Sequence, residues 1–359
     1  MTDAQITEQD VQKTLEQFKD PESGRSITQL GQVHDLKLEG NSLAITLGLT
    51  TWAAPLREET REELAEHLKK TFPQLDIAVE LAVHERPAEK MGEFGLAAKS
   101  VIAVGAGKGG VGKSSIAAFL AYGLSRAGCK VGLLDADLYG PSIPHLLGTP
   151  DSPDIVDEKV QPVVVDGLKV MSMGFFIPEG EAVIWRGPML HGAITQFLRD
   201  TDWGELDYLV IDMPPGTGDV AMSVSQLLPQ SEAMIVCTPQ DVALLDATKA
   251  ITMMQRIELN VLGMVENMSF FICPDCDHRH EIFGSGGAKK KAAEMEVPFL
   301  GELPLLTHVR ELGDAGKLSG AFDDAAVRPY LEKMCVATVR QLSSQRREEP
   351  PMPNLQVLD

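Results

Sequence analysis

The sequence predicts an α/β protein in which a mostly parallel sheet is covered by helices on both faces and preceded by a small α/β domain. Three observations carry this expectation. From residue 100 onward, apolar strand-like runs alternate with helix-like stretches, the order that parallel strands and their crossover connections impose. A glycine-rich stretch at 105–115 follows the apolar run 101–104, Val-Ile-Ala-Val, and precedes a pattern that places Ile116, Phe119, Leu120 and Leu124 on one helical face. Finally, Asp135 and Asp212 stand at the ends of two later apolar runs, where open α/β sheets gather their ligands.

With 359 residues, 44% of them hydrophobic and 23% charged, the chain has the composition of a globular protein with room for one large and one small domain. Its net charge of −20 opposes a broad basic face for nucleic acid or for an anionic membrane, so neither is expected as a partner. No apolar run approaches membrane-spanning length, and the first residues, Met1-Thr-Asp-Ala-Gln-Ile-Thr-Glu, lack the basic and apolar regions of a signal peptide. The expected location is cytoplasmic. Five cysteines, an odd number, argue against a disulfide framework; Cys129, Cys237 and Cys335 lie in apolar or helical stretches and read as core residues.

Residues 1–85 read as the small domain. Thr7 and Asp10 can cap a helix carrying Val11, Leu15 and Phe18 on one face, and Pro21-Glu-Ser-Gly24 makes a turn. Strands near 27–38 and 42–50, a charged helix over 56–71 and a strand at 75–83 complete α-β-β-α-β. Residues 86–99 hold Pro and Gly without sustained periodicity and read as a linker. The large domain is expected over 100–342, and the polar, Pro-rich residues 343–359 as a disordered tail.

Within 105–115, Gly107, Gly112, Lys113 and Ser114 fill every fixed position of G-x-x-x-x-G-K-[ST], the phosphate loop of a P-loop NTPase. Glycines let backbone amides turn inward around phosphate oxygens, so Gly107, Lys108, Gly109, Gly110, Val111, Gly112, Lys113, Ser114 and Ser115 form the expected nucleoside-triphosphate-binding segment. Lys113 reaches the β/γ-phosphates and the Ser114 hydroxyl can ligate Mg²⁺. Lys108 is a second lysine inside the loop and adds positive charge beside a triphosphate site.

Downstream, Asp135 and Asp137 are spaced i, i+2 at a strand end and point to one side. One can support Mg²⁺ while the other orients the attacking water; loop acids with a capping role are the alternative. Asp212, in Asp-Met-Pro-Pro-Gly216-Thr-Gly-Asp219, suits a second Mg²⁺-supporting acid, with the Gly216 amide left to sense the γ-phosphate. Residues 151–200, with Trp185-Arg-Gly-Pro188, carry no chemical assignment. Asn267 offers a donor and an acceptor to an adenine edge, or is a plain turn residue. Cys273-Pro-Asp-Cys276 brings two thiols close enough for one metal or cluster, for redox exchange, or for half of a zinc site. His278 and His280 read as solvated. No second C-x-x-C exists, so the simplest route to four sulfurs is a second copy of the chain around a two-fold axis.

These residues carry a resemblance. Gly107-Lys108-Gly-Gly-Val-Gly-Lys113-Ser resembles the deviant Walker A motif of the MinD/ParA/nitrogenase-iron-protein class of dimeric ATPases. Together with 135–142 (DADLYGPS), 212–219 (DMPPGTGD), 238–240 (TPQ), 266–269 (ENMS), 273–276 (CPDC) and 282–287 (IFGSGG), the stretch from about 99 to 335 is similar to the Mrp/ApbC family of iron-sulfur cluster carrier ATPases. Residues 5–85 resemble the small iron-sulfur-assembly domain often fused in front of them. The resemblance implies ATP and Mg²⁺ at the loop, with Lys108 reaching the partner's phosphates in a homodimer. Asp137 would orient the water, Asp135 and Asp212 would support Mg²⁺, and Cys273 and Cys276 of two subunits would share a [4Fe-4S] cluster. Recipients would be apo iron-sulfur proteins, and partners would include cluster assembly factors. The relatives' small domain usually has a cysteine where this chain reads Thr51-Trp-Ala-Ala-Pro55, which puts a cluster-handling thiol there in doubt; Ala106 also replaces a serine common before the loop. A MinD/ParA-like positioning ATPase and an ATPase with a dimer-bridging structural zinc are the competing expectations.

Overall fold

The computed structural model describes residues 6–91, 95–138, 140–149, 151–176, 187–216, 218–273, 276 and 278–348. The chain divides into two compact units, one of residues 1–86 and 339–359, the other of 87–338.

In the first unit the Thr7 hydroxyl and the Asp10 carboxylate form a reciprocal capping box that starts the helix Glu8–Leu15, as their spacing predicts. Three strands follow in spatial order Val33–Glu39, Ser42–Leu49 and Asp76–Val83, the first pair antiparallel and the second parallel. The helix Arg57–Thr71 buries Leu64 and Leu68. Residues 27–32 turn rather than extend, because the Ile27 and Gln32 amides bond to Phe18 and Ile27 carbonyls.

Two boundaries differ from expectation. Within 86–99, Lys90–Met91 pairs antiparallel with the strand Leu96–Ala106, so sheet hydrogen bonds hold part of the segment expected as a linker. The helix Arg328–Glu348 runs through 343–348, expected as tail, because its basic side chains find partners in the first unit. Arg340 forks onto Glu59 (2.8 and 2.7 Å), and the Arg346 guanidinium lies 4.6 Å over the Trp52 ring while donating to the Glu22 carbonyl at 2.8 Å. Residues 349–359 lie outside the described residues.

The second unit is built on a sheet with strands in the order Phe299–Glu302, Asn260–Glu266, Glu232–Cys237, Leu96–Ala106, Glu205–Asp212, Val131–Asp135, Leu168–Ser172 and Val163–Val165. The first seven of these strands run parallel to one another, and Val163–Val165 pairs antiparallel with Leu168–Ser172. Parallel strands covered by helices are buried on both faces, which is why they read as unbroken apolar runs such as Leu209-Val210-Ile211. Register aligns the strand ends: Asp212 pairs with Asp135, Asp135 with Ser172, and Glu266 with both Cys237 and Glu302. The sheet therefore delivers one row of polar side chains to its carboxyl edge. Cys129, Cys237 and Cys335 are core residues, and burial pushes the Cys237 and Cys335 thiols up to about 12.

The phosphate loop leaves this edge between Ala106 and the helix Lys113–Arg126. Gly110 and Gly112 adopt left-handed φ of 81° each, a conformation that favours glycine. Gly107 meets a different constraint, since a Cβ there would sit 2.2 Å from the backbone of Asp246 on the helix Asp241–Arg256.

Two outcomes follow from this packing. Trp52→Ala should destabilise the first unit by about 3–5 kcal/mol, the usual cost of deleting a buried aromatic, read as an earlier transition in urea unfolding. Gly107→Ala must displace backbone rather than a side chain, so nucleotide affinity should fall by at least about tenfold while far-UV circular dichroism is kept, an effect of the size expected for overpacking; a fluorescent-nucleotide titration reads it.

Candidate functional site

Two parallel strands and one helix bring the charged residues of the sequence motifs to one place. Lys113, at the first turn of its helix, is buried, and its Nζ bonds to Asp212 Oδ1, lies 3.2 Å from Ser114 Oγ and 3.6 Å from Asp137 Oδ2. Asp212 is fully buried at the end of its strand, and its Oδ2 has no hydrogen-bond partner among the described residues. Asp135, equally buried, accepts from the amides of Asp137 (3.1 Å) and Ile143 (3.2 Å) and from the Ser172 hydroxyl (3.0 Å). Desolvation, with the neighbouring Asp212 charge, raises Asp135 above the carboxylate range. Desolvation also raises Asp212, with Lys113 pulling the other way. Three acids thus face one ammonium, an arrangement short of positive charge.

An orphaned, fully buried carboxylate oxygen beside the Ser114 hydroxyl and a second desolvated acid fits a hard divalent cation, whose ligands are oxygens. Lys108 differs from Lys113: half-buried in the loop, its side chain has no hydrogen bond or ion pair among the described residues.

One sequence expectation is corrected by the structure and a second residue gains a contact the sequence did not show. The Gly216 amide donates to the Ala106 carbonyl at 2.7 Å, which closes the turn after Asp212 onto the root of the loop, so that amide is engaged rather than left for a phosphate. Thr217 lies outside the described residues, as do Trp185 and Arg186. Asn267 sits beneath the loop, where its Nδ2 donates to the Val111 carbonyl at 2.9 Å; a Cβ on Gly112 would stand 2.2 Å from that nitrogen. One of its donors therefore braces the loop.

Beyond Asn267 the chain leaves the sheet as an arm. Phe271–Ile272 pairs antiparallel with Arg279–His280, and the Cys273 amide donates to the His278 carbonyl at 3.0 Å. Cys273 is half-buried and Cys276 exposed at the tip of this hairpin, neither in a disulfide; Pro274, Asp275 and Asp277 lie outside the described residues. His278 and His280 are exposed, with ring centroids 4.7 Å apart. No group of three or more His, Cys, Asp or Glu placed to hold a metal occurs among the described residues, so the sequence-predicted cysteine pair stands as two ligands. Among those residues no helix is long and apolar enough to cross a membrane.

Sequence reasoning missed two contributors. Ser172 fixes Asp135, and its only signal is its place at the end of a strand neighbouring Asp135. Glu266, fully buried, accepts from Ser269 Oγ and from the Gly286 and Ala288 amides; its signal was a charged residue ending an otherwise apolar strand.

Residues 97–338 match the model of the NUBPL iron-transfer P-loop NTPases, and residues 8–81 match that of the iron-sulfur cluster assembly proteins. The iron-sulfur cluster carrier protein of Deinococcus radiodurans is 44% identical over 306 residues, 85% of this chain and 86% of the relative. That of Escherichia coli K12 is 42% identical over 311 residues, 84% and 83% of the two chains. Among solved structures, a nucleotide-binding protein from Archaeoglobus fulgidus in complex with ADP superposes with a TM-score of 0.56 at 42% identity, over 62% of this chain and 88% of that one. By its P-loop, its sheet and these relatives, the chain belongs to the iron-transfer P-loop NTPase family that includes the iron-sulfur cluster carrier proteins.

Proposed function

We propose that two copies of this chain bind ATP with Mg²⁺ at their phosphate loops and carry one [4Fe-4S] cluster between their Cys273-x-x-Cys276 pairs, delivering it to apo-proteins in the cytoplasm. The observation that carries the reading is the pairing of incomplete sites. Cys273 and Cys276 supply two thiolates at a hairpin tip, whereas a four-iron cluster takes four. Lys108 is a cation in the phosphate loop whose side chain has no partner among the described residues, as a group directed at another subunit's nucleotide requires.

Within one copy, the loop amides and Lys113 hold the phosphates. Lys113 is already desolvated, so its attraction to a triphosphate is weakly screened. Mg²⁺, held by Ser114 and Asp212 with Asp135 beside them, would offset phosphate charge. Asp137, half in reach of Lys113, orients the attacking water, while Lys108 of the other copy stabilises charge that develops on the phosphoryl group. Asn267 retains its carbonyl oxygen and one amide hydrogen for the adenine edge.

Anaerobic reconstitution tests the cargo site directly. Wild type should take up iron and sulfide, and the Cys273→Ala/Cys276→Ala variant should not; equal stable binding by both, or zinc alone in the native protein, would sink the reading. The two lysines separate binding from turnover. Lys108→Ala should keep nucleotide affinity but lose hydrolysis by about 10³-fold, the lower range for a finger residue supplied in trans, whereas Lys113→Ala should weaken both. Full ATPase activity in the Lys108 variant would refute a role across the dimer.

A further inference from the structure

We propose that Glu266 is a positioning residue for the cysteine-bearing arm: one buried carboxylate ties together the two ends of the excursion that presents Cys273 and Cys276. The inference rests on the reading that these two thiols hold the cluster.

The arm needs an external support. Its hairpin has only two paired positions per strand, Phe271 with His280 and Ile272 with Arg279, and a two-stranded hairpin of that size does not hold its shape alone in water. Cluster ligands, by contrast, must be held at fixed separation, and the residues behind them decide how well they are held. Glu266 ends the parallel strand from which the arm departs. Its Oε1 accepts from the Ser269 hydroxyl at 2.5 Å, where the arm begins, and from the Gly286 amide at 3.0 Å, where it returns. Its Oε2 accepts from the Ala288 amide at 2.7 Å, in the first turn of the helix Gly287–Glu294, whose positive end suits a carboxylate. Glu266 is fully buried, so water does not compete for these bonds.

A second line of contacts extends the support to the far strand of the hairpin. Ser269 Oγ lies 3.2 Å from Glu302 Oε2, and Glu302 Oε1 pairs with Arg279 Nη1 at 3.2 Å. The Arg279 guanidinium also lies 3.6 Å over the Phe270 ring. These outer contacts are partly exposed, and among the described residues Glu266 is the side chain that bonds to both ends of the arm. The next residue, Asn267, holds the phosphate loop through Val111, so the arm and the loop are rooted in adjacent positions of one strand end.

The test compares wild type, Glu266→Ala, Glu266→Gln and Cys273→Ser/Cys276→Ser, each reconstituted anaerobically with ferrous iron and sulfide and then challenged with a ferrous chelator. Glu266→Ala should retain iron about 10- to 100-fold less well, the range seen when a residue supporting metal ligands is lost. Amide exchange at Gly286 and Ala288 should accelerate in step, and ADP affinity should stay unchanged. Glu266→Gln keeps one acceptor oxygen but turns an N–H toward a backbone amide, so it should fall between the two. Wild-type iron retention in either Glu266 variant overturns the proposal. So does loss of ADP affinity in parallel with iron in both, which makes Glu266 a general structural residue. If Cys273→Ser/Cys276→Ser itself keeps the cluster, the cargo site has been misassigned, a failure distinct from that of Glu266.

Discussion

One buried ammonium organises the nucleotide end of this molecule. Lys113 shares a desolvated space with Asp212, Asp137 and Asp135, and taking several carboxylates out of water costs far more than one lysine returns unless the geometry is fixed and further cations arrive. The fold satisfies the first condition by delivering Asp135 and Asp212 from adjacent parallel strands in register, and Lys113 from the helix that follows the loop. The second condition agrees with the proposed function: among the described residues three acids face one lysine and Asp212 Oδ2 has no partner, an excess of negative charge that a bound divalent cation would offset.

The same carboxyl edge supports the second chemistry. Moving along the sheet from Asp135 and Asp212, the strand ends pass through the phosphate loop and Cys237 to Glu266, where the cysteine-bearing arm begins. Asn267 contacts the loop and Glu266 grips the arm, so the distance between the two sites in this unit is bridged by two consecutive residues. The phosphate loop and the cysteine-bearing arm thus share one support within this unit, with Cys273 half-buried and Cys276 exposed.

Much of this was legible in the sequence because its signals are local. The phosphate loop is set by glycines whose backbone conformations no other residue adopts easily, and the alternating apolar runs fix the parallel sheet before any contact is known. The capping box at Thr7 and Asp10 is equally local. What escaped depends on distant partners. Residues 343–348 are polar and read as tail, yet they are helical because Trp52, Glu22 and Glu63, far away in sequence, receive Arg346 and Arg347. The Gly216 amide reads as available until Ala106 is seen beside it. Ser172 and Glu266 look like ordinary strand-end residues, and only the strand order reveals that one braces Asp135 and the other the cysteine arm.

The proposed pair of chains completing each other around one cluster is open to direct measurement. Native mass spectrometry of anaerobically purified protein, with and without ATP, measures chain number and cargo together. The expected species holds two chains plus four irons and four sulfides, with iron lost when Cys273 and Cys276 are replaced. A single chain carrying its own complete cluster, or a dimer whose only metal is zinc, would contradict it.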